Sequence, residues 1–135
     1  MAITYAQTRQ FTSAQLKDLF NSVGWESARF SDKLVTAMHN SENVVSAWDG
    51  DQLVGLMTAM SDGVMTVYFH WLLVRPEYQG QGIGRTITEK MLENYKSYIS
   101  RILLSYNEQV GFYEKLGFAV NTLSTPMKHT GKKEK

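Results

Sequence analysis

The stretch Gln79-Gly-Gln-Gly-Ile-Gly-Arg85 follows the apolar run Trp71 to Val74 and precedes Thr86 to Tyr98, where Ile87, Met91, Leu92 and Tyr95 recur at helical spacing. It reads as a strand, a glycine-rich turn and a helix start. Gly80, Gly82 and Gly84 permit tight turning and let backbone N–H groups approach an anion, while the helix N-terminus adds partial positive charge. Such a turn suits a pyrophosphate, although closely spaced glycines also serve plain bends. No Lys-Ser or Lys-Thr pair follows Gly84, which removes a P-loop, and the Gly80, Gly82, Gly84 spacing is not the dinucleotide fingerprint.

On the N-terminal side of this turn, Asn43 to Trp48, Gln52 to Met60 and Val64 to Val74 alternate like strands. Asp49-Gly50-Asp51 and Asp62-Gly63 join them into a meander. Ile3 to Ala6 predicts a short first strand. Thr12 and Gln15 form a capping box that opens a helix to about Val23, with Leu16, Leu19, Phe20 and Val23 as its apolar stripe and Gly24 as its stop. Ser31 is placed to cap a second helix carrying Leu34, Val35 and Met38. Beyond the turn, Ile102 to Leu104 reads as a buried strand, Glu108 to Leu116 as a helix closed by Gly117, and Phe118 to Leu123 as a last strand. Either Ser105 with Glu108, or Asn107 alone, can cap that helix. The expected order is β-α-α-β-β-β-α-β-α-β, an α/β (α+β) chain. Residues 1–126 form one domain, and 127–135 a polar, Lys-rich tail expected to be disordered.

A chain of 135 residues is long enough to bury about two-thirds of its unfolded surface in one core. Fourteen basic and thirteen acidic residues leave a net charge of +1, without the clustered excess of a nucleic-acid binder. The absence of cysteine excludes disulfides, thiolate catalysis and cysteine-ligated metals, and fits a reducing cytoplasm. Val64 to Val74, interrupted by Thr66 and His70, is too short to span a bilayer. The expectation is a soluble, unprocessed cytoplasmic protein with neither nucleic acid nor membrane as partner.

With its second glycine-closed element in view, the chain resembles the GNAT superfamily of acyl-CoA-dependent N-acetyltransferases over nearly its full length. The family's phosphate motif falls on Gln79, Gly82 and Gly84, after the lead-in Val74-Arg-Pro-Glu-Tyr78. Its second motif falls on Phe112-Tyr-Glu-Lys-Leu-Gly-Phe118. The resemblance implies a mixed central sheet with helices on both faces, acetyl-CoA as acyl-donor substrate, a small-molecule or peptide amine as acceptor, and room for a homodimer. It further implies that backbone groups of Leu72, Leu73 and Val74 bind the pantetheine arm. Gln79, Gly80, Gln81, Gly82, Ile83, Gly84 and Arg85 would cradle the pyrophosphate, and Tyr113 would lie near the thioester sulfur. Asn107 is a further residue for the cofactor arm, one position closer to the Tyr than the commonest family spacing.

The chemistry accounts for these residue types without a metal. A backbone N–H from Leu72 to Val74 can stabilise the oxyanion formed at the thioester carbonyl. The departing thiolate benefits from a proton, which a phenol of ordinary pKa about 10 at Tyr113 can give; simple packing is the competing role. An alkylamine must lose a proton before attack. Many family members carry a carboxylate just before the pantetheine-binding residues, where this chain has Tyr68-Phe-His-Trp-Leu72. In strict alternation Met65, Val67, Phe69, Trp71 and Leu73 share one face and Thr66, Tyr68 and His70 the other, making His70 the base candidate beside a structural alternative. A bulge would reset that alternation. Glu26, Glu42 and His39 read as surface residues, and Trp25, Phe30, Trp48 and Tyr106 either line an aromatic acceptor pocket or pack in the core. Val23-Gly24-Trp25 resembles short members that include plant-type arylalkylamine acetyltransferases. The missing carboxylate leaves a second function open, a CoA-binding module with little turnover.

Overall fold

Both Asp-Gly pairs make the expected reversals. In the computed structural model, which describes residues 2–129, β2 (Asn43–Asp49), β3 (Gln52–Ser61) and β4 (Thr66–Val74) run antiparallel. The Asp62 carboxylate accepts the N–H groups of Met65 at 2.7 Å, Val64 at 2.9 Å and Thr66 at 3.1 Å. These bonds, Met65's foremost, hold its carboxyl below the usual carboxylate range. Strand β1 (Ile3–Ala6) pairs antiparallel with β2, and β5 (Ser100–Leu103) pairs parallel with β4, giving the order β1-β2-β3-β4-β5. The mixed sheet is thus as expected.

Helix α1 (Ser13–Ser22) starts at the capping box: Thr12 Oγ1 accepts the Gln15 N–H at 3.1 Å and Gln15 Oε1 the Thr12 N–H at 2.9 Å. Helix α2 (Ser31–Asn40) follows a 3-10 turn, Glu26–Phe30. Ser31 does not cap it; Phe30 holds the cap position, and the Ser31 hydroxyl instead accepts a hydrogen bond from Ser13 at 2.7 Å. Leu16, Leu19, Phe20, Leu34 and Met38 cluster with Val44, Leu53, Leu56 and Leu73. Burying each such side chain contributes roughly 1.5–3 kcal/mol. Helix α3 (Ile83–Glu93) lies on the other sheet face, where a Cβ on Gly55 would stand 3.2 Å from Ile87 Cδ1. It starts at the glycine turn itself, earlier than its apolar stripe indicated, because Ile83 already enters the core.

The chain divides into two compact units, Met1–Leu103 and Leu104–Lys135. In the second, a 3-10 turn, Asn107–Gln109, leads into α4 (Val110–Glu114), shorter than the expected helix. Gly117, with φ 97°, closes it as anticipated, and Phe118 N–H bonds Tyr113 C=O at 3.1 Å. The expected last strand, Phe118 to Leu123, is absent. Asn121 Oδ1 accepts the Leu123 N–H at 2.9 Å, a local turn that takes a donor a ladder would need. Most of the expected tail, from residue 130 onward, lies outside the described residues. Among the described residues no helix is long and apolar enough to cross a membrane.

Candidate active site

Strand β4 is not regular. Met57 pairs with Leu72 and Ala59 with Phe69, so the single residue Thr58 faces both His70 and Trp71. This is a β-bulge. Thr58 is buried, and its Oγ1 accepts the Trp71 N–H at 3.3 Å. The extra residue reverses the facing of everything after it. Phe69 meets Tyr95 at a ring distance of 5.8 Å, beyond α3, whereas Trp71 meets Phe20 of α1 at 5.5 Å and Leu73 joins the α1 cluster. Strict alternation therefore fails: Phe69 does not share a face with Trp71 and Leu73.

The bulge lies where β4 loses a neighbour. Strand β5 pairs with β4 from Thr66 only to Phe69, opposite Leu103. Past that point no strand covers this edge of β4 among the described residues. The N–H groups of Trp71 and Arg75 both point toward β3, to Thr58 Oγ1 and, at 2.8 Å, to Val54 C=O. By alternation Leu73 points there too, while Leu72 and Val74 turn their backbone groups to the open edge. Gln79 Nε2 donates to the Val74 carbonyl there at 2.9 Å. The Leu72 N–H and C=O and the Val74 N–H remain facing outward.

The edge runs directly into the turn. Gly80 and Gly82 have φ of 80° and 83°, the left-handed region that glycine occupies without strain. Gly82 is the N-cap of α3 and offers no side chain, so the amides of Ile83, Gly84 and Arg85 precede the first helical bond, Thr86 N–H to Gly82 C=O at 3.0 Å. The Ile83 side chain is buried, which leaves its backbone as the part available to a ligand. Arg85 pairs with Glu89 at 3.1 Å, both side chains about half exposed, an arrangement readily released. Gln81 reaches Glu77 C=O at 3.5 Å.

Three contacts brace the lead-in. Arg75, almost wholly buried, donates from Nε to Leu53 C=O at 2.7 Å and from Nη2 to Asp18 of α1 at 2.5 Å. The Tyr78 hydroxyl donates to Asp49 at 2.5 Å, and this bond, with burial, raises its pKa. Sequence reasoning quoted Arg75 and Tyr78 only within the lead-in, read Asp49 only as part of a turn, and passed over Asp18. Their partners lie 57 and 29 positions away, so no local pattern announces them.

His70 sits at the bulge, exposed but with the Trp71 ring at 4.3 Å and the Tyr68 ring at 5.4 Å. Desolvation by these neighbours lowers its pKa below 6.5. With Phe20 and Trp25, whose rings lie 5.9 Å apart, these residues form one aromatic run from α1 to β4. Of the four aromatics read as a pocket, Trp25 belongs to this run, while Trp48 stacks on Phe11 at 6.1 Å and donates to Ser46 Oγ at 2.9 Å. Phe30 is exposed beside Arg29 and Lys33, and Tyr106 is exposed in the second unit. Glu26 pairs with Arg29, and the His39 carbonyl accepts from Arg9 at 3.0 Å. Glu42 is more than surface: it accepts from Ser61 at 2.6 Å and from the buried Tyr95 at 2.7 Å, and burial with this bond raises the Tyr95 pKa.

In the second unit Tyr113 stands between the rings of Phe112, at 5.0 Å, and Phe118, at 5.7 Å. Burial pushes its phenol up to about 12. Asn107 opens the 3-10 turn, is exposed, and makes no side-chain cap for α4.

The chain as a whole has counterparts among known proteins. The sequence profile of the acetyltransferase (GNAT) domain matches residues 10–131. The chain belongs to the GNAT acetyltransferase family. A GNAT-family acetyltransferase from Streptococcus pneumoniae TIGR4 superposes with a TM-score of 0.85 at 29% identity, over 98% of this chain and 100% of that one. Histone acetyltransferase TAP1 of Glycine max is 34% identical over 116 residues, 76% of this chain and 50% of that protein. Serotonin N-acetyltransferase 2, chloroplastic, of Oryza sativa subsp. japonica is 30% identical over 112 residues, 78% of this chain and 56% of that protein. This GNAT chain thus spans about half the length of such curated relatives. Family members take their acetyl group from acetyl-CoA.

Proposed function

We propose that this protein transfers the acetyl group of acetyl-CoA to a primary amine by direct attack within a ternary complex. The observation that carries the reading is the open β4 edge ending at the uncapped start of α3. The outward Leu72 N–H and C=O and the Val74 N–H suit the amides of a pantetheine arm, and the amides of Ile83, Gly84 and Arg85 suit its pyrophosphate. Bound acetyl-CoA supplies an activated acyl carbon: the amine nitrogen bonds to it, the C–S bond breaks, and the thiolate leaves. An outward β4 amide faces the developing oxyanion. His70, held neutral by its lowered pKa, takes the proton the amine loses, and Tyr113, held protonated by its raised pKa, gives one to the thiolate.

The relatives' names point to different acceptors, histone and serotonin, which both carry primary amines. The aromatic run of Trp25, Trp71, His70 and Tyr68 favours an aromatic or apolar amine over a polycation. The test is release of free thiol from acetyl-CoA with aromatic amines, polyamines, aminoglycosides and lysine peptides, with the product confirmed by mass. No binding of acetyl-CoA and no thiol release with any amine would refute the reading. The lack of a carboxylate in Tyr68 to Leu72 favours one other reading, a CoA-binding module. Binding without turnover, unaltered by Tyr113→Phe or His70→Ala, would select it.

A further inference from the structure

We propose that Thr58 is a positioning residue for the acyl donor: its hydroxyl pins the His70–Trp71 bulge and so decides which backbone groups of β4 face the open edge. Residues 53–59 of β3 are all buried, and within them Thr58 alone carries a polar side chain. A polar group at such a site is retained at a cost unless it is bonded. Thr58 is bonded, and to the one strand position that regular pairing leaves in difficulty. Where two residues oppose one, two amides crowd a single carbonyl, and an additional acceptor beside it favours that arrangement. Thr58 supplies it as Oγ1, 3.3 Å from the Trp71 nitrogen.

Without that acceptor the alternative is an unbulged register. A one-residue shift would move Trp71 and Leu73 from the α1 face to the α3 face. It would also turn the Leu72 and Val74 amides inward toward β3, removing the donors that the acyl-CoA arm uses. The inference rests on the acetyl-CoA reading above. Its specific content is that a hydroxyl on the neighbouring strand, touching neither donor nor acceptor, sets the donor-facing edge.

The experiment compares Thr58→Ser, Thr58→Cys and Thr58→Val by calorimetric titration with acetyl-CoA, alongside Val44→Ala as a core-destabilised control on β2. Serine keeps the acceptor, sulfur is a weak one, and valine keeps the shape without it. Expected are a Kd within about threefold of wild type for serine, weakened at least about tenfold for valine, and intermediate for cysteine. Amide exchange at Trp71 should be slow in the wild type and serine variant and fast in the valine variant. Val44→Ala should lose thermal stability while keeping its Kd. The proposal is overturned if folded Thr58→Val binds acetyl-CoA as wild type does, or if Val44→Ala weakens binding equally. Should valine not fold, the serine-to-cysteine difference decides by the same criterion. If the wild type itself fails to bind acetyl-CoA, the donor reading falls and takes the donor role of Thr58 with it, while exchange at Trp71 separately reports whether the hydroxyl holds the bulge.

Discussion

Gly82 offers the sharpest separation between a turn that binds and a turn that merely bends. It sits at φ 83°, ψ 7°, and a Cβ built on it meets nothing within 4 Å. No protein atom opposes a side chain there, so the stability cost of Gly82→Ala is the backbone's alone, about 1–2 kcal/mol for an L-residue in the left-handed region. At this chain length that lowers Tm by about 3–7 °C. Asparagine tolerates the same region better, so Gly82→Asn should be more stable than the alanine variant. Valine, β-branched, should be the least stable. Donor binding should rank differently. The open space beside Gly82 is where a pyrophosphate would meet the amides of Ile83 to Arg85, and any side chain intrudes there. An asparagine side chain can also accept those amides itself. All three variants should therefore bind acetyl-CoA at least about tenfold more weakly, a loss of about 1.4 kcal/mol or more, with asparagine no better than alanine. Tm by calorimetry and Kd by titration read the two effects independently. An asparagine variant with wild-type affinity, or affinities that simply follow Tm across the series, would refute the assignment of this turn to the donor.

Other consequences follow from the same geometry. Because the lowered pKa of His70 favours its neutral form, the acid limb of kcat/KM should have its midpoint below 6.5 and disappear in His70→Gln; an unchanged limb removes the base assignment. The unfolded chain takes up that proton more readily than the folded one, so wild-type stability should fall as pH drops from 6.5 through the folded pKa, and His70→Gln should flatten this slope. Tyr113→Phe should lower kcat by about 10²-fold or more while the Kd for acetyl-CoA stays close to wild type, with no alkaline limb from this phenol at neutral pH; equal kcat would reduce Tyr113 to packing. Arg75→Met strands the Leu53 carbonyl and should cost about 1–3 kcal/mol in urea unfolding, whereas Asp18→Asn, at a carboxylate 66% exposed, should cost only about 0–1 kcal/mol. Gly55→Ala would press a methyl to 3.0 Å from Leu73 C=O and 3.2 Å from Ile87, and should lose about 1–3 kcal/mol by overpacking α3 against the sheet.

The amino-acid sequence by itself determined whatever a few adjacent residues enforce. Thr12 and Gln15 close their capping box within one helical turn. The Asp62 carboxylate gathers three amides inside the residues of its own reversal, and Gly82 fixes the turn through its own φ. Two motifs in order then sufficed for the family. Tertiary pairing decided the geometry of the candidate site. That β4 does not alternate strictly is visible only in its pairing with β3, where two of its residues oppose Thr58. Which amides are available depends on where β5 stops pairing. The buried Arg75 finds its partners, Leu53 C=O and Asp18, on two other elements. In the same way Phe118 to Leu123 alternates like a strand but forms none, since a strand requires a partner edge and Asn121 offers the backbone a nearer bond. Local hydrogen bonds are written in local sequence. Register, edge and buried charge are properties of two elements at once, and they fix which β4 amides face the open edge.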